Sequence, residues 1–120
     1  MDCLFCKIVA GDIPATKVFE DDDVVAFNDI SPAAPHHYLV IPKKHISTLN
    51  DLTPEDDAIT GKMLRTAAQI AQDKGFAEAG YRTVFNCNQD GGQTVYHIHL
   101  HVLAGQTLGW PPFTDKAKPV

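Results

Sequence analysis

The chain is short of cysteine, of long apolar runs and of positive charge, and each shortage excludes something. Three cysteines in 120 residues are an odd number and too few for the disulfide framework of a small secreted domain. No window approaches the roughly 18 to 20 uninterrupted apolar residues of a membrane span. The opening stretch carries charges at positions 2, 7 and 12 and lacks the apolar run and small-residue cleavage site of a secretory signal. A cytoplasmic protein without a membrane partner is expected. Ten Lys plus Arg stand against fifteen Asp plus Glu, a formal charge of −5, so the basic field needed to hold nucleic acid by its phosphates is missing. There is no internal repeat, linker or low-complexity tract. What is present, 44% hydrophobic and 21% charged residues, is enough to fill one modest core.

Residues 17–20 and 24–28 are β-prone runs on either side of Asp21-Asp22-Asp23, the pattern of a hairpin. Two prolines interrupt 29–35, and a third strand is expected at 37–41, closed by Pro42. Thr53-Pro54-Glu55-Asp56 offers a capping hydroxyl, a proline at the first helical position and two acids in the first turn. Ile59, Met63, Ala67, Ile70 and Ala71 recur at spacings of three and four before Gly75, which predicts a helix over 54–74. Residues 81–86 and 97–103 read as two more strands. Strands around one dominant helix indicate an α+β domain with a mostly antiparallel five-stranded sheet.

The informative segment is His97-Ile-His-Leu-His-Val-Leu103. In a strand its three histidines share one face and Ile98, Leu100 and Val102 line the other, so one face is core and the other is available for chemistry. Three co-facial histidines fit a polar solvent face, a metal site or nucleophilic catalysis, since a neutral imidazole is a competent nucleophile near pH 7. Gly91-Gly92-Gln93-Thr94 just upstream favours the third: glycines let backbone N–H groups approach phosphate oxygens, and the Thr94 hydroxyl can donate a hydrogen bond.

The chain resembles the histidine triad (HIT) family, and more closely its Hint branch of purine nucleoside phosphoramidases. The resemblance is carried by the triad segment, by Asp90-Gly-Gly-Gln-Thr-Val-Tyr96 leading into it, by Phe27-Asn-Asp-Ile-Ser-Pro32 and Leu39-Val-Ile-Pro-Lys-Lys-His45, and by Gly109-Trp-Pro-Pro112. It implies one HIT domain over residues 1–120, with a short N-terminal helix and an irregular tail over 104–120. It also implies hydrolysis of the P–N bond of a purine nucleoside 5′-phosphoramidate (an AMP or GMP derivative) through a nucleotidyl-histidine. The alternatives are a dinucleoside polyphosphate hydrolase, and a nucleotide-binding or protein-interaction module with incidental catalysis.

By resemblance, His99 is the nucleophile and His101 binds the phosphate and stabilises developing charge. Thr94 passes a proton to the leaving amine from a position where the branch usually has serine, His37 is an auxiliary histidine, and His97, the first of the triad, belongs to the catalytic set; His36 matches nothing. Asn86, Gly92, Gln93 and Val95 correspond to phosphate and ribose contacts, Asp29 with Ile30 to the ribose clamp, and Phe5, Ile8 and Phe27 to the purine slot. The family also implies a homodimer pairing through the 54–74 helix and the 81–86 strand, with the Trp110 segment reaching the other protomer's pocket.

Cys3-x-x-Cys6 is, by itself, a buried pair, a redox couple or half of a metal site. The resemblance extends to bacterial HIT proteins in which a histidine matching His45 and the first triad histidine, His97, complete a structural zinc site. Catalysis would then need no metal, and Cys87 is expected to be a packing residue.

Overall fold

The computed structural model describes residues 3–112; the end of the expected tail, 113–120, lies outside the described residues. Five antiparallel strands, β1 (Lys17–Glu20), β2 (Val24–Asn28), β3 (His36–Pro42), β4 (Arg82–Val84) and β5 (Leu100–Ala104), form one sheet in the order β1-β2-β3-β5-β4. Two helices accompany it, α1 (Leu4–Ala10) and α2 (Asp57–Lys74). The α+β class and the five-stranded antiparallel sheet agree with the sequence.

The hairpin turn forms because Asp21 Oδ1 accepts the backbone N–H groups of Asp23 and Val24 at 2.8 and 3.0 Å, a side-chain substitute for a backbone turn. Lys62 of α2 lies 2.6 Å from Asp21 and 2.8 Å from Asp23 and ties that turn to the helix. Before α2, residues 54–56 make a single tight 3₁₀ turn. There Thr53 and Asp56 form a capping box at the start of the turn. The Thr53 N–H and hydroxyl both donate to Asp56 Oδ2, at 3.0 and 3.3 Å. Gly75, at φ 85°, closes α2 with its N–H on Ala71 O. The left-handed conformation there is one that glycine adopts without a Cβ penalty.

Side-chain alternation divides the sheet into two buried faces. Val24, Ala26, Tyr38, Val40, Leu100, Val102 and the preceding Ile98 pack against Met63, Ala67, Ile70 and Ala71 of α2. Val25, Phe27, Leu39 and Ile41 pack on the other side against Cys3, Phe5 and Ile8. The face available for chemistry is thus also partly core: α1 covers it and gives it an apolar cluster of its own.

Both strands nearest the histidines are shorter than the sequence indicated. The 81–86 strand is reduced to Arg82–Val84, and the 97–103 strand is displaced to Leu100–Ala104. His97 and His99 lie just before β5 because its ladder does not reach them. The His97 carbonyl accepts from the His99 ring at 2.8 Å, and the Ile98 N–H donates to Ile46 O at 2.8 Å. Alternation nevertheless continues: Ile98 points into the α2 core while His97 and His99 point the other way.

Candidate active site

On the α1 face the sheet leaves a cavity of about 280 Å³. It is lined by Phe5, Ile8, Phe27, Asp29, Ile30, Thr94, Val95, His99 and His101, together with Leu4, Ile13, Pro14, Ala15, Asn28 and Leu39. Nine residues singled out from the sequence thus converge from α1, β2, the connection from β2 to β3, the loop before β5 and β5 itself. The Phe5 ring meets Phe27 edge-on at 5.6 Å and His99 edge-on at 5.0 Å, so one wall is aromatic and ends at an imidazole. Ile30, 97% exposed, stands at the mouth.

Hydrogen-bond partners fix the tautomer of each ring. His99 Nδ1–H donates to the His97 carbonyl at 2.8 Å, which leaves Nε2 as a lone pair. Burial holds His99 below the ordinary imidazole range, so that lone pair is available at neutral pH. His37 Nδ1 accepts the Ala33 N–H at 2.9 Å, so its proton sits on Nε2, 2.8 Å from His101 Nδ1 and 3.4 Å from Asp29 Oδ2. His101 Nδ1 is therefore an acceptor, and its proton is on Nε2. Burial, with His99 and His37 beside it, pushes His101 down to about 4, so it acts as a neutral donor. Ring centroids of His99 and His101 are 5.1 Å apart. Side by side, the site holds a nucleophilic nitrogen and a hydrogen-bond donor.

The histidines are not on a solvent face. His97 is fully buried and His99 is 7% exposed. Asp29 is partly engaged already: its Oδ1 accepts the Ser31 N–H at 2.8 Å, the turn role the local sequence would give it, while Oδ2 faces His37.

Asn86, Gly92 and Gln93 stand behind the lining, where they build the loop. Asn86 Nδ2 donates to Gly91 O at 2.7 Å. The Gly92 N–H donates to Gln89 O and the Gln93 N–H to Asn88 O, so both amides are engaged inside the loop. The buried Gln93 side chain accepts the Asn88 N–H and donates to Ser47 O and Val95 O. Its amide holds Thr94 and Val95 against the cavity. Gly91, read from the sequence as a glycine that lets backbone approach a phosphate, also has a packing reason: a Cβ there would sit 2.4 Å from Cys87 O and 2.8 Å from Cys87 N, so the loop closes only over glycine. Trp110, 81% exposed, does not line the cavity; its segment is held by Arg82, which donates to Gly109 O at 2.6 Å and Leu108 O at 3.3 Å. His36 lies on the opposite face, against Phe76 at 4.9 Å and Tyr38 at 6.1 Å.

A second cluster adjoins the first. The ligand atoms of Cys3, Cys6, His45 and His97 all lie within 4.8 Å of one another. His97 Nε2–H donates to Pro42 O at 2.8 Å, which leaves its Nδ1 unprotonated and turned inward; His45 Nε2 lies 3.1 Å from Ser47 Oγ, and its Nδ1 also faces the cluster. The nitrogens are 3.2 Å apart, and sulfur-to-nitrogen distances are 3.3, 3.4 and 3.6 Å. A tetrahedral zinc with ordinary Zn–N and Zn–S bonds has edges of about 3.3 Å between two nitrogens and about 3.5 Å between nitrogen and sulfur. The four residues can hold a metal, and donor set, the His97 tautomer and spacing fit zinc.

Comparison with known proteins gives concordant matches. The family model described as the scavenger mRNA decapping enzyme C-terminal binding domain matches residues 2–109. Purine nucleoside phosphoramidase of Escherichia coli (strain K12) is 49% identical over 108 residues, 90% of this chain and 91% of that protein. An uncharacterized HIT-like protein of Synechococcus elongatus is 50% identical over 111 residues, covering 92% and 96%. The crystal structure of a HIT family hydrolase from Legionella pneumophila Philadelphia 1 superposes with a TM-score of 0.91 at 56% identity, covering 92% of this chain and 99% of that one.

Proposed function

The chain belongs to the histidine triad family, and from that premise we propose that it hydrolyses the P–N bond of purine nucleoside 5′-phosphoramidates. The observation that carries this reading is the His99 lone pair, held at the end of an aromatic slot by the bond from Nδ1–H to the His97 carbonyl. The base enters between Phe5, Ile8 and Phe27, and Asp29 faces the ribose. His99 Nε2 attacks the α-phosphorus, the P–N bond breaks, and the amine leaves with a proton passed by Thr94. His101 Nε2–H donates to a phosphate oxygen as charge builds, the role of a preorganised donor. Water then attacks the nucleotidyl-His99 and gives its proton back to Thr94, releasing the nucleoside monophosphate and restoring the ring. A cavity of about 280 Å³ is near the lower limit of small-molecule sites, about 300 Å³, and suits one nucleoside better than a dinucleotide.

Brief exposure to a slow adenylate substrate, followed by intact-protein mass spectrometry, should give an increment of one adenylyl group. Peptide mapping should place it on His99. Turnover without any adduct, or an adduct elsewhere, would exclude the mechanism, and faster cleavage of a diadenosine polyphosphate than of a phosphoramidate would favour the rival substrate class.

Cys3, Cys6, His45 and His97 would hold a structural zinc that takes no part in these steps and leaves His99 free. Residues 1–120 are read as one domain acting in the cytoplasm; among the described residues no helix is long and apolar enough to cross a membrane. We also propose a homodimer joined through α2 and β4. In support, β4 is an edge strand of the sheet, and Leu64 and Tyr81 are 47% and 38% exposed. Sedimentation at micromolar concentration should give a dimer; a monomer would overturn the pairing.

A further inference from the structure

The metal cluster and the nucleotide slot share parts, and two independent connections run between them. The first goes through α1. Cys3 Sγ accepts the Cys6 N–H at 3.3 Å and serves as the helix N-cap, so the residues that would hold the metal also start the helix. Between them in sequence is Phe5, whose ring is edge-on to both His97, at 6.0 Å, and His99, at 5.0 Å. A helix of seven residues is well below the length that is stable by itself, so its position depends on what anchors it. Leu4, Phe5 and Ile8 nonetheless form a wall of the slot. The second connection goes through His97. Its ring points Nδ1 into the cluster, while its carbonyl receives the proton of His99 Nδ1. Whatever fixes the His97 ring also fixes the bond that sets the nucleophile's tautomer.

We propose that zinc at Cys3, Cys6, His45 and His97 and a nucleotide in the adjacent slot bind with positive coupling, because each orders Phe5 and the segment 97–99 that the other requires. The inference rests on the zinc and nucleotide readings above. A site ordered in advance binds more tightly because less conformational freedom is lost on binding. Coupling between two sites is also reciprocal, and is typically about 5- to 150-fold. Zinc should therefore tighten AMP by about tenfold, and saturating AMP should tighten zinc by the same factor.

The test uses the full chain under reducing conditions. AMP affinity is measured by calorimetry with and without zinc, and zinc affinity by chelator competition with and without AMP. Equal factors in the two directions support the proposal. Zinc and AMP that both bind with affinities independent of each other overturn it and leave the two underlying readings standing. Failure of zinc to bind overturns it together with the metal reading, and failure of AMP to bind overturns it together with the nucleotide reading. Because a metal-free chain that merely unfolds would also link the two ligands, the same cycle is run on Phe5→Leu and Ile8→Val. Both change the slot, but the ring that meets His97 and His99 edge-on is that of Phe5. The factor should fall toward one in Phe5→Leu and persist in Ile8→Val; an undiminished factor in both would overturn the proposal.

Discussion

His99→Ala should lower phosphoramidate turnover by about 10⁵-fold, equivalent to about 7 kcal/mol of transition-state stabilisation. The expected loss is this large because no neighbouring ring can substitute. His101 Nδ1 is held by His37 and its other nitrogen carries the proton, and His97 has Nε2 on the Pro42 carbonyl and Nδ1 in the cysteine cluster. The slot residues remain, so AMP should bind within a few-fold of the parent. A second variant, His99→Asn, separates chemistry from packing. Its side-chain amide can still donate toward the His97 carbonyl but carries no nucleophilic lone pair, so it should be as inactive as alanine and give no adenylyl adduct. Hydrolysis within tenfold of the parent in either variant, measured by release of the amine, would refute the assignment.

The roles of His99 and His101 could not be separated by the triad pattern alone. Alternation puts the three rings on one face, and that much follows from the period of an extended chain. Which nitrogen carries the proton depends on the Ala33 N–H, the Pro42 carbonyl and the His97 carbonyl. These backbone groups are distant in sequence or at a strand end, and no side-chain pattern announces them. The same distinction explains Asn86 and Gln93. Their place in the phosphate-loop motif was legible, but their amides are taken up by loop carbonyls and N–H groups, a long-range hydrogen-bond count that sequence does not display.

Other features were legible because local physics decides them. Helix α2 has its apolar stripe from Met63 to Ala71 and its glycine stop, and the β1–β2 hairpin has an aspartate turn. The 81–86 and 97–103 strands were read too long at the ends that meet the histidine loop, since β-propensity says nothing about where a ladder loses its partner. The second apolar face was missed for a related reason. Phe5 and Ile8 look like a slot or a core with equal justification until α1 is seen lying over Val25, Phe27, Leu39 and Ile41. They serve as both.

The second large effect concerns stability. Protein purified under reducing, chelator-free conditions should contain one zinc per chain, and His45→Ala should lose it and melt about 15 °C lower. A ligand present at about a thousand times its dissociation constant contributes about 4 kcal/mol to folding, and about 4 °C accompanies each kcal/mol in a domain of this size. The site is well placed to deliver such a contribution. Its contacts join residues 39, 52 and 91 positions apart, so one bound ion closes several long loops at once, and the entropy removed from the unfolded chain rises with loop length. It also anchors α1, which is too short to persist without help. His45 is the informative position because it lies outside the nucleotide slot and its ring is only half-buried, so little packing is lost with it. Adding a strong chelator to the parent should bring its melting temperature down to that of His45→Ala and should leave the variant where it is. If chelation moves both equally, or moves neither, the four residues form a packed cluster of thiols and imidazoles and the stability of the fold lies elsewhere.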